Sequence, residues 1–319
     1  MSGGRRVAAF APASVGNVGP GLDILGLAVE GPGDTVMAEW SDTPGITVLE
    51  PGHPDLPREA ERHTSALAAR AVMDRIGSAA LRGRGIALSV TKGLPLAGGQ
   101  GGSAASAVAG AVAVNALLGA PLDDTCLIDA CLAAEETVAG RHADNIAPSL
   151  LGGIVLIRCM EPIDLVRLPV PEELYVTLVR PEQRMRTADA RMVLPKEVSR
   201  SVALHQAAQV GAMVAALALE DYALLGRAID DRIAEPARAG LLPGFVEAKA
   251  AALAAGALGS SISGSGPTVF ALARGRESAD RVGAAMRKAY AIRGQSAEVL
   301  VGRVDRVGAR VVEDTGMGR

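Results

Sequence analysis

Short runs rich in Val, Ile and Leu, each bounded by Gly, Pro or a charged residue, recur at 7–10, 45–49, 85–90, 153–157, 175–179, 267–272 and 298–304 and predict strands. Longer stretches with apolar positions at helical spacing predict helices over 65–76, 103–118, 123–138, 197–219, 222–234, 245–255 and 278–292. Pro121-Leu122-Asp123-Asp124 supplies a turn followed by an acidic first turn, which the positive end of a helix dipole favours. The two kinds of element alternate irregularly, without the even beat of a doubly wound sheet or a (β/α) barrel, so the pattern predicts an α+β fold. At 319 residues a single core usually stops growing and the chain divides. The stretch 158–170, with Pro162 and Pro169 and then Pro171 just beyond, reads as the connection, giving expected domains of 1–160 and 161–319 that share a cleft. A polar tail is expected over 313–319.

Composition narrows the partners. Aromatic residues make up 2% of the chain, so Ala, Val, Leu and Ile must fill the core, and the stacking platforms that grip single-stranded nucleic acid are scarce. A formal net charge of −3 offers no basic footprint for a polyanion. Nucleic acid is therefore not an expected partner. Cys126, Cys131 and Cys159 lack a C-x-x-C spacing and read as small apolar residues in a reducing compartment. His53, His63, His142 and His205 are scattered, with no zinc-binding pattern. Arg5-Arg6 before a short apolar run and Ala11-Pro12-Ala13 imitates a signal peptide, but the run is too short and Pro12 interrupts it. The apolar stretch 104–118 contains Ser106, Gly110 and Asn115 and falls short of a membrane span. A soluble, cytoplasmic protein without a membrane partner is the expectation.

Chemistry concentrates in Lys92-Gly93-Leu94-Pro95-Leu96-Ala97-Gly98-Gly99-Gln100-Gly101-Gly102-Ser103-Ala104-Ala105-Ser106. Gly98, Gly99, Gly101 and Gly102 let the backbone turn tightly, and a helix of small residues starts at Ser103. Loop amides beside a helix N-terminus make an anion site that phosphates can approach closely. The Walker pattern is excluded, because no lysine follows the glycines; the chain's lysines are Lys92, Lys196, Lys249 and Lys288. Protein kinases are excluded by the absence of H-R-D and D-F-G. Gly99-x-Gly101-x-x-Ala104 mimics a dinucleotide turn, but 91–97 separates it from the preceding strand, and Asp123-Asp124 opens a helix where that pattern needs a strand end. No G-x-S-x-G elbow supports a serine hydrolase.

The loop instead resembles the phosphate-binding motif of the superfamily of galactokinase, homoserine kinase, mevalonate kinase and phosphomevalonate kinase (GHMP). Two departures are Gln100 where Leu is usual and Gly102 where the first Ser is usual. Pro12-Ala13-Ser14-Val15-Gly16-Asn17-Val18-Gly19-Pro20-Gly21-Leu22-Asp23 is similar to the first superfamily motif, and Ser261-Ile262-Ser263-Gly264-Ser265-Gly266-Pro267-Thr268 to the third. Within the superfamily, Gly140-Arg141-His142-Ala143-Asp144-Asn145-Ile146-Ala147-Pro148 and Glu235-Pro236-Ala237-Arg238 resemble the homoserine kinase family.

The resemblance implies an N-terminal domain like the second domain of ribosomal protein S5, holding ATP and Mg²⁺, a ferredoxin-like C-terminal domain, and a homodimer. It implies transfer of phosphate from ATP to the side-chain hydroxyl of L-homoserine, a step of threonine biosynthesis. Phosphate binding would fall to Lys92, Pro95, Gly98, Gly99, Gln100, Gly101, Gly102, Ser103, Ala104 and Ser106. Ser103 would hold Mg²⁺ with Glu135, although the spacing to Asn145 leaves Glu136 in competition. Arg191 and Arg238, with Thr187, would clamp the acceptor carboxylate, as bidentate guanidinium suits. Asn17 and Asp23 would hold its amino and hydroxyl end, with His142, Asn145 and Gly264 beside it. Ser103, Asp23 and Asn145 form the implied catalytic group. Asp144 is available as a base, and none is assigned, since phosphoryl transfer relies chiefly on positioning and charge neutralisation. Two alternatives stay open: a related kinase for another small alcohol, and a catalytically silent relative, motivated by Gly102.

Overall fold

The computed structural model describes residues 5–77, 81, 83–137 and 140–315. Its strands form two sheets. The first contains β1 (Arg6–Gly16), β2 (Leu25–Ser41), β3 (Ile46–Glu50), β4 (Gly85–Thr91), β5 (Ile154–Met160), β6 (Ile163–Leu168) and β11 (Arg310–Asp314). Its order is β11-β1-β2-β4-β3, with β5 on the other half of β2 and β6 beside β5. The second, antiparallel sheet runs β10 (Ala297–Arg303), β7 (Leu174–Pro181), β9 (Val269–Arg274), β8 (Gly259–Ile262).

The strand that organises the first sheet is β2, which the apolar pattern did not reveal. Its register against β1 jumps from Pro12↔Gly33 to Ala13↔Val29, a bulge that bends and re-aims the strand. Before the bulge Leu25–Leu27 pair with β5; after it 35–41 pair with β4. Gly26, Gly31, Pro32 and Gly33 break the apolar run, which is why no strand was predicted over 25–41.

Helices α1 (Thr64–Ile76), α2 (Gly102–Leu117), α3 (Asp124–Glu136) and the short α4 (Ile146–Leu151) pack around this sheet. Helix α2 is buried nearly all round, as a helix without a polar face must be. Asp123 caps α3 by accepting from Cys126 N at 2.8 Å. The predicted extension to Val138 lies outside the described residues.

The second half carries α5 (Thr187–Met192), α6 (Arg200–Leu219), α7 (Tyr222–Ala228), α8 (Ala234–Arg238), α9 (Phe245–Ala254) and α10 (Arg276–Ile292). Its sheet alternates with period two. Val179, Val269 and Ala271 face a core with Phe245, Val282, Met286 and Tyr290. Leu174, Val176, Leu178, Phe270 and Leu272 on the opposite face join the core of the first sheet. The halves are thus welded by apolar burial, with a Val29↔Val304 bridge between the sheets.

Some expectations change. The supposed connection 158–170 is largely the β5–β6 hairpin, and Glu313–Asp314 belongs to β11 against β1. The helix expected over 222–234 stops at Ala228, because Asp231 caps a new helix, accepting from Ile233 N, Ala234 N and Glu235 N. Helix α6, not 104–118, is long and apolar enough to cross a membrane. Buried Gln206 ties it to the protein, donating to Pro20 O at 3.1 Å and to Asp231 at 2.7 Å.

Candidate active site

The five motif segments meet at one cleft of about 590 Å³. Ser14 N donates to Gln100 O at 3.1 Å and Gly264 N to Gly16 O at 2.9 Å. Ser263 Oγ donates to Gly99 O at 2.6 Å and Thr268 Oγ1 to Gly98 O at 2.5 Å. Asn17 N donates to Asp144 Oδ2 at 2.9 Å. These bonds explain the glycines. At Gly16 a Cβ would lie 2.4 Å from both Asp144 and Asn145; at Gly101, with φ 70°, it would lie 2.0 Å from Ser14 Oγ.

The glycine loop delivers the start of α2 to the cleft. Gly102, Ser103 and Ala104 line it, and the N–H groups of a first helical turn have no partner in their own helix. Pro95, Gly98, Gly99, Gly101 and Ser106 line it as well, whereas Gln100 is buried and turns toward Thr268. Lys92 borders the cleft, but its ammonium donates to Asp34, to Gly102 O and to Ser106 Oγ, the last two at 3.0 Å. An ammonium has three N–H donors, so this one keeps none for a phosphate. A Cβ at Gly102 would come no closer than 3.3 Å, to Pro95 O, so the missing serine leaves the loop's path and its amide in place.

Glu135 is buried on α3 and lines the cleft, while Glu136 is exposed to solvent and does not. Burial pushes the Glu135 carboxyl up to about 7, opposed by hydrogen bonding with Ser103. Its Oε1 is buried without a hydrogen-bond partner. No group of three or more His, Cys, Asp or Glu able to hold a metal occurs among the described residues. A hydroxyl beside a carboxylate with one oxygen unpartnered nevertheless fits Mg²⁺, which keeps most of its waters and takes few protein ligands.

At the other end, Arg238 is 2% exposed. It donates through Nε to Ala190 O at 3.1 Å and through Nη1 to Gly264 O at 2.8 Å, and its Nη2 makes no hydrogen bond among the described residues. Burial, and next the neighbouring Arg191, lower its proton affinity. Arg191 pairs with Asp23 at 2.7 Å, and His142 Nδ1 lies 3.4 Å from the same carboxylate. Burial lowers the His142 pKa, so its ring is neutral near pH 7. Thr187 opens α5 on the cleft wall, and Asn145 accepts from Ser14 Oγ at 2.9 Å. Asn17 holds the loop together: its Nδ2 donates to Gly264 O at 3.1 Å and its Oδ1 accepts from Asp23 N at 2.8 Å. Asp23 itself sits at the rim, outside the cleft lining.

Asp144 is buried, and burial pushes its carboxyl up to about 6 from 3.8. Between those two values the folded chain retains a proton that the unfolded chain has released, so stability falls as pH rises through about 6. Asp144→Asn is therefore expected to stabilise the fold at pH 8 by on the order of 1–2 kcal/mol, an advantage that fades toward pH 4. Denaturant unfolding at both pH values checks this.

Sequence reasoning missed the third wall. Leu56, Pro57 and Leu96 give the cleft apolar lining, with Arg62, His63 and Thr64 lining it as well. His63 is 2% exposed, with Nε2 3.2 Å from Pro51 O and Nδ1 unpartnered. These residues fall in an irregular segment without periodicity, and the one available signal was a histidine directly before a helix.

Comparisons with known proteins show the family. Residues 63–153 match the family model for the GHMP kinases N terminal domain, and 213–292 the GHMP kinases C terminal model. The chain is 41% identical over 323 residues to a homoserine kinase of Chlorobium phaeobacteroides (strain BS1), covering 97% of this chain and 100% of the relative. It is 42% identical over 315 residues to a homoserine kinase of Arabidopsis thaliana, covering 96% of this chain and 84% of that one. The crystal structure of homoserine kinase from Cytophaga hutchinsonii superposes with a TM-score of 0.92 at 42% identity, covering 96% of this chain and 97% of that one. A mevalonate kinase from L. major, at 18% identity and a TM-score of 0.67 over 92% of this chain and 95% of its own, shares the fold. With the α+β, two-domain architecture expected from its sequence, this chain belongs to the homoserine kinases of the GHMP kinase family.

Proposed function

We propose that this chain transfers the γ-phosphoryl group of ATP to the side-chain hydroxyl of L-homoserine, releasing ADP and O-phospho-L-homoserine. The observation that carries the reading is one cleft with a glycine-rich helix start at its middle and two neighbouring guanidiniums, Arg191 and Arg238, at its end. A polyphosphate suits the first, and an amino-acid carboxylate suits the second. The apolar wall at Leu56, Pro57 and Leu96 takes the adenine. Backbone amides of 101–104 cradle the phosphates. Ser103 Oγ and the Glu135 carboxylate would hold a Mg²⁺ ion, which supplies positive charge to the phosphate oxygens when bound.

For the acceptor, Arg238 offers its open Nη2 edge, and Arg191 exchanges its Asp23 partner for the substrate carboxylate. Asp23, freed toward the cleft, then faces the ammonium group. Asn145 and neutral His142 orient the hydroxyl toward the phosphoryl group. The new bond forms between that oxygen and Pγ as the bond from Pγ to the bridging oxygen of ADP breaks, and the hydroxyl proton departs to solvent. A loose transition state makes this possible without a dedicated base. A homodimer and a cytoplasmic location complete the reading.

The test is ADP release by purified protein with Mg-ATP and L-homoserine, with L-serine, L-threonine and mevalonate as parallel acceptors. Turnover dependent on homoserine is expected. Turnover with another acceptor alone would keep the phosphotransferase and replace the substrate, and ATP binding without turnover would favour a silent relative.

A further inference from the structure

Behind the phosphate loop lies a closed polar network built on Asp34, a residue no motif includes. Its side chain is fully buried, and that of Lys92 is 6% exposed. Asp34 Oδ1 accepts from Gly93 N at 3.1 Å and from Leu94 N at 3.2 Å, at the point where the chain leaves β4 for the loop. Asp34 Oδ2 accepts from Ser106 Oγ at 2.6 Å and from Lys92 Nζ. Lys92 in turn donates to Gly102 O and Ser106 Oγ, both in the first turns of α2. One carboxylate thus fastens both the entry and the exit of the loop. It lies just beyond the β2 bulge, which directs it inward.

We propose that Asp34 is a positioning residue for phosphate binding: it clasps the two ends of the glycine loop and holds Lys92 away from the ligand, so that backbone amides rather than the ammonium meet the phosphates. The proposal rests on reading the loop as the ATP phosphate site. Both buried charges are paired and hydrogen-bonded, the condition for their persistence out of water. In Asp34→Asn an amide donor replaces Oδ2 and faces two other donors, Lys92 Nζ and Ser106 Oγ, so the clasp on α2 opens while the bonds to Gly93 N and Leu94 N remain.

The experiment titrates ADP and adenosine into the full-length wild type and Asp34→Asn. ADP affinity is expected to fall roughly tenfold or more, with adenosine affinity within about twofold; 1.4 kcal/mol corresponds to tenfold. General damage to the fold would weaken both ligands alike and overturn the proposal. So would an unchanged or raised ADP affinity, the latter meaning that a freed Lys92 binds phosphate directly. Lys92→Met added to Asp34→Asn is expected to cause no further loss of ADP binding, and a further tenfold loss would also overturn it. Should Asp34→Asn fail to fold, Ser106→Ala, which removes one bond of the clasp, is expected to lower ADP affinity severalfold with adenosine unchanged, and equal losses would count against it. A wild type that binds neither nucleotide would instead remove the phosphate-site reading.

Discussion

Replacing Arg238 with alanine is expected to lower kcat/KM for homoserine by about 10²–10³-fold, with ADP affinity staying within about twofold. The reasoning starts from burial. A guanidinium 2% exposed to solvent has surrendered its hydration and recovers part of it through Ala190 O and Gly264 O. Arg238 lines the cleft beside a second cation, Arg191, and burial first and this neighbour second lower its proton affinity. Asp23, Asp231 and Asp144 are the anions around these guanidiniums, and the substrate carboxylate would add a partner in direct contact. Truncating one partner of a buried, charge-assisted pair costs about 2–5 kcal/mol, and each 1.36 kcal/mol is tenfold in rate. Arg238→Lys keeps the charge but cannot reach Ala190 O, Gly264 O and a ligand together, so it should recover only part of the loss. Steady-state kinetics with homoserine varied at saturating Mg-ATP decides the matter. A KM for homoserine that is unaffected by the alanine substitution would remove Arg238 from the carboxylate clamp.

The same cleft shows what could be read from the chain and what could not. Motif segments around Asn17, Ser103, Asn145, Arg238 and Gly264 were legible because glycine, proline and asparagine there answer to backbone geometry. The choice between Glu135 and Glu136 was not legible, since neighbouring helix positions differ by about 100° and one residue of uncertain spacing decides which faces inward. Helix α3 buries Glu135 and leaves Glu136 in solvent. Lys92 was assigned to phosphate from its place beside the glycines. The partner that occupies it, Asp34, lies 58 residues earlier on a strand that Gly31, Pro32 and Gly33 concealed. A local pattern can signal a turn or a helix start, but a buried ion pair between distant segments exists only once the sheet has formed. The cleft lining at Leu56, Pro57 and His63 was hidden for the same reason. Its residues share no period and converge through tertiary packing.

Glu135→Gln is expected to lower kcat by about 10²–10³-fold with little change in the affinity for metal-free ADP. Glu135 shares the cleft with Ser103, and its Oε1 has no hydrogen-bond partner among the described residues. Burial, opposed by Ser103 and reinforced by the nearby Asp144, pushes its carboxyl up to about 7, so the empty site holds a proton more readily than a free carboxylate does. A divalent ion beside it would favour the ionised form, as an opposite charge within a few ångströms does. The glutamine has nearly the same shape, so packing against α2 is retained, but it lacks the negative charge that a hard cation requires. The substitution therefore separates charge from volume. It should abolish most of the gain in ADP affinity that Mg²⁺ confers on the wild type. Calorimetric titration of ADP with and without Mg²⁺, run on both proteins, measures that difference directly. If Mg²⁺ strengthens ADP binding equally in both, the ion is held elsewhere and Glu135 is only a buried acid.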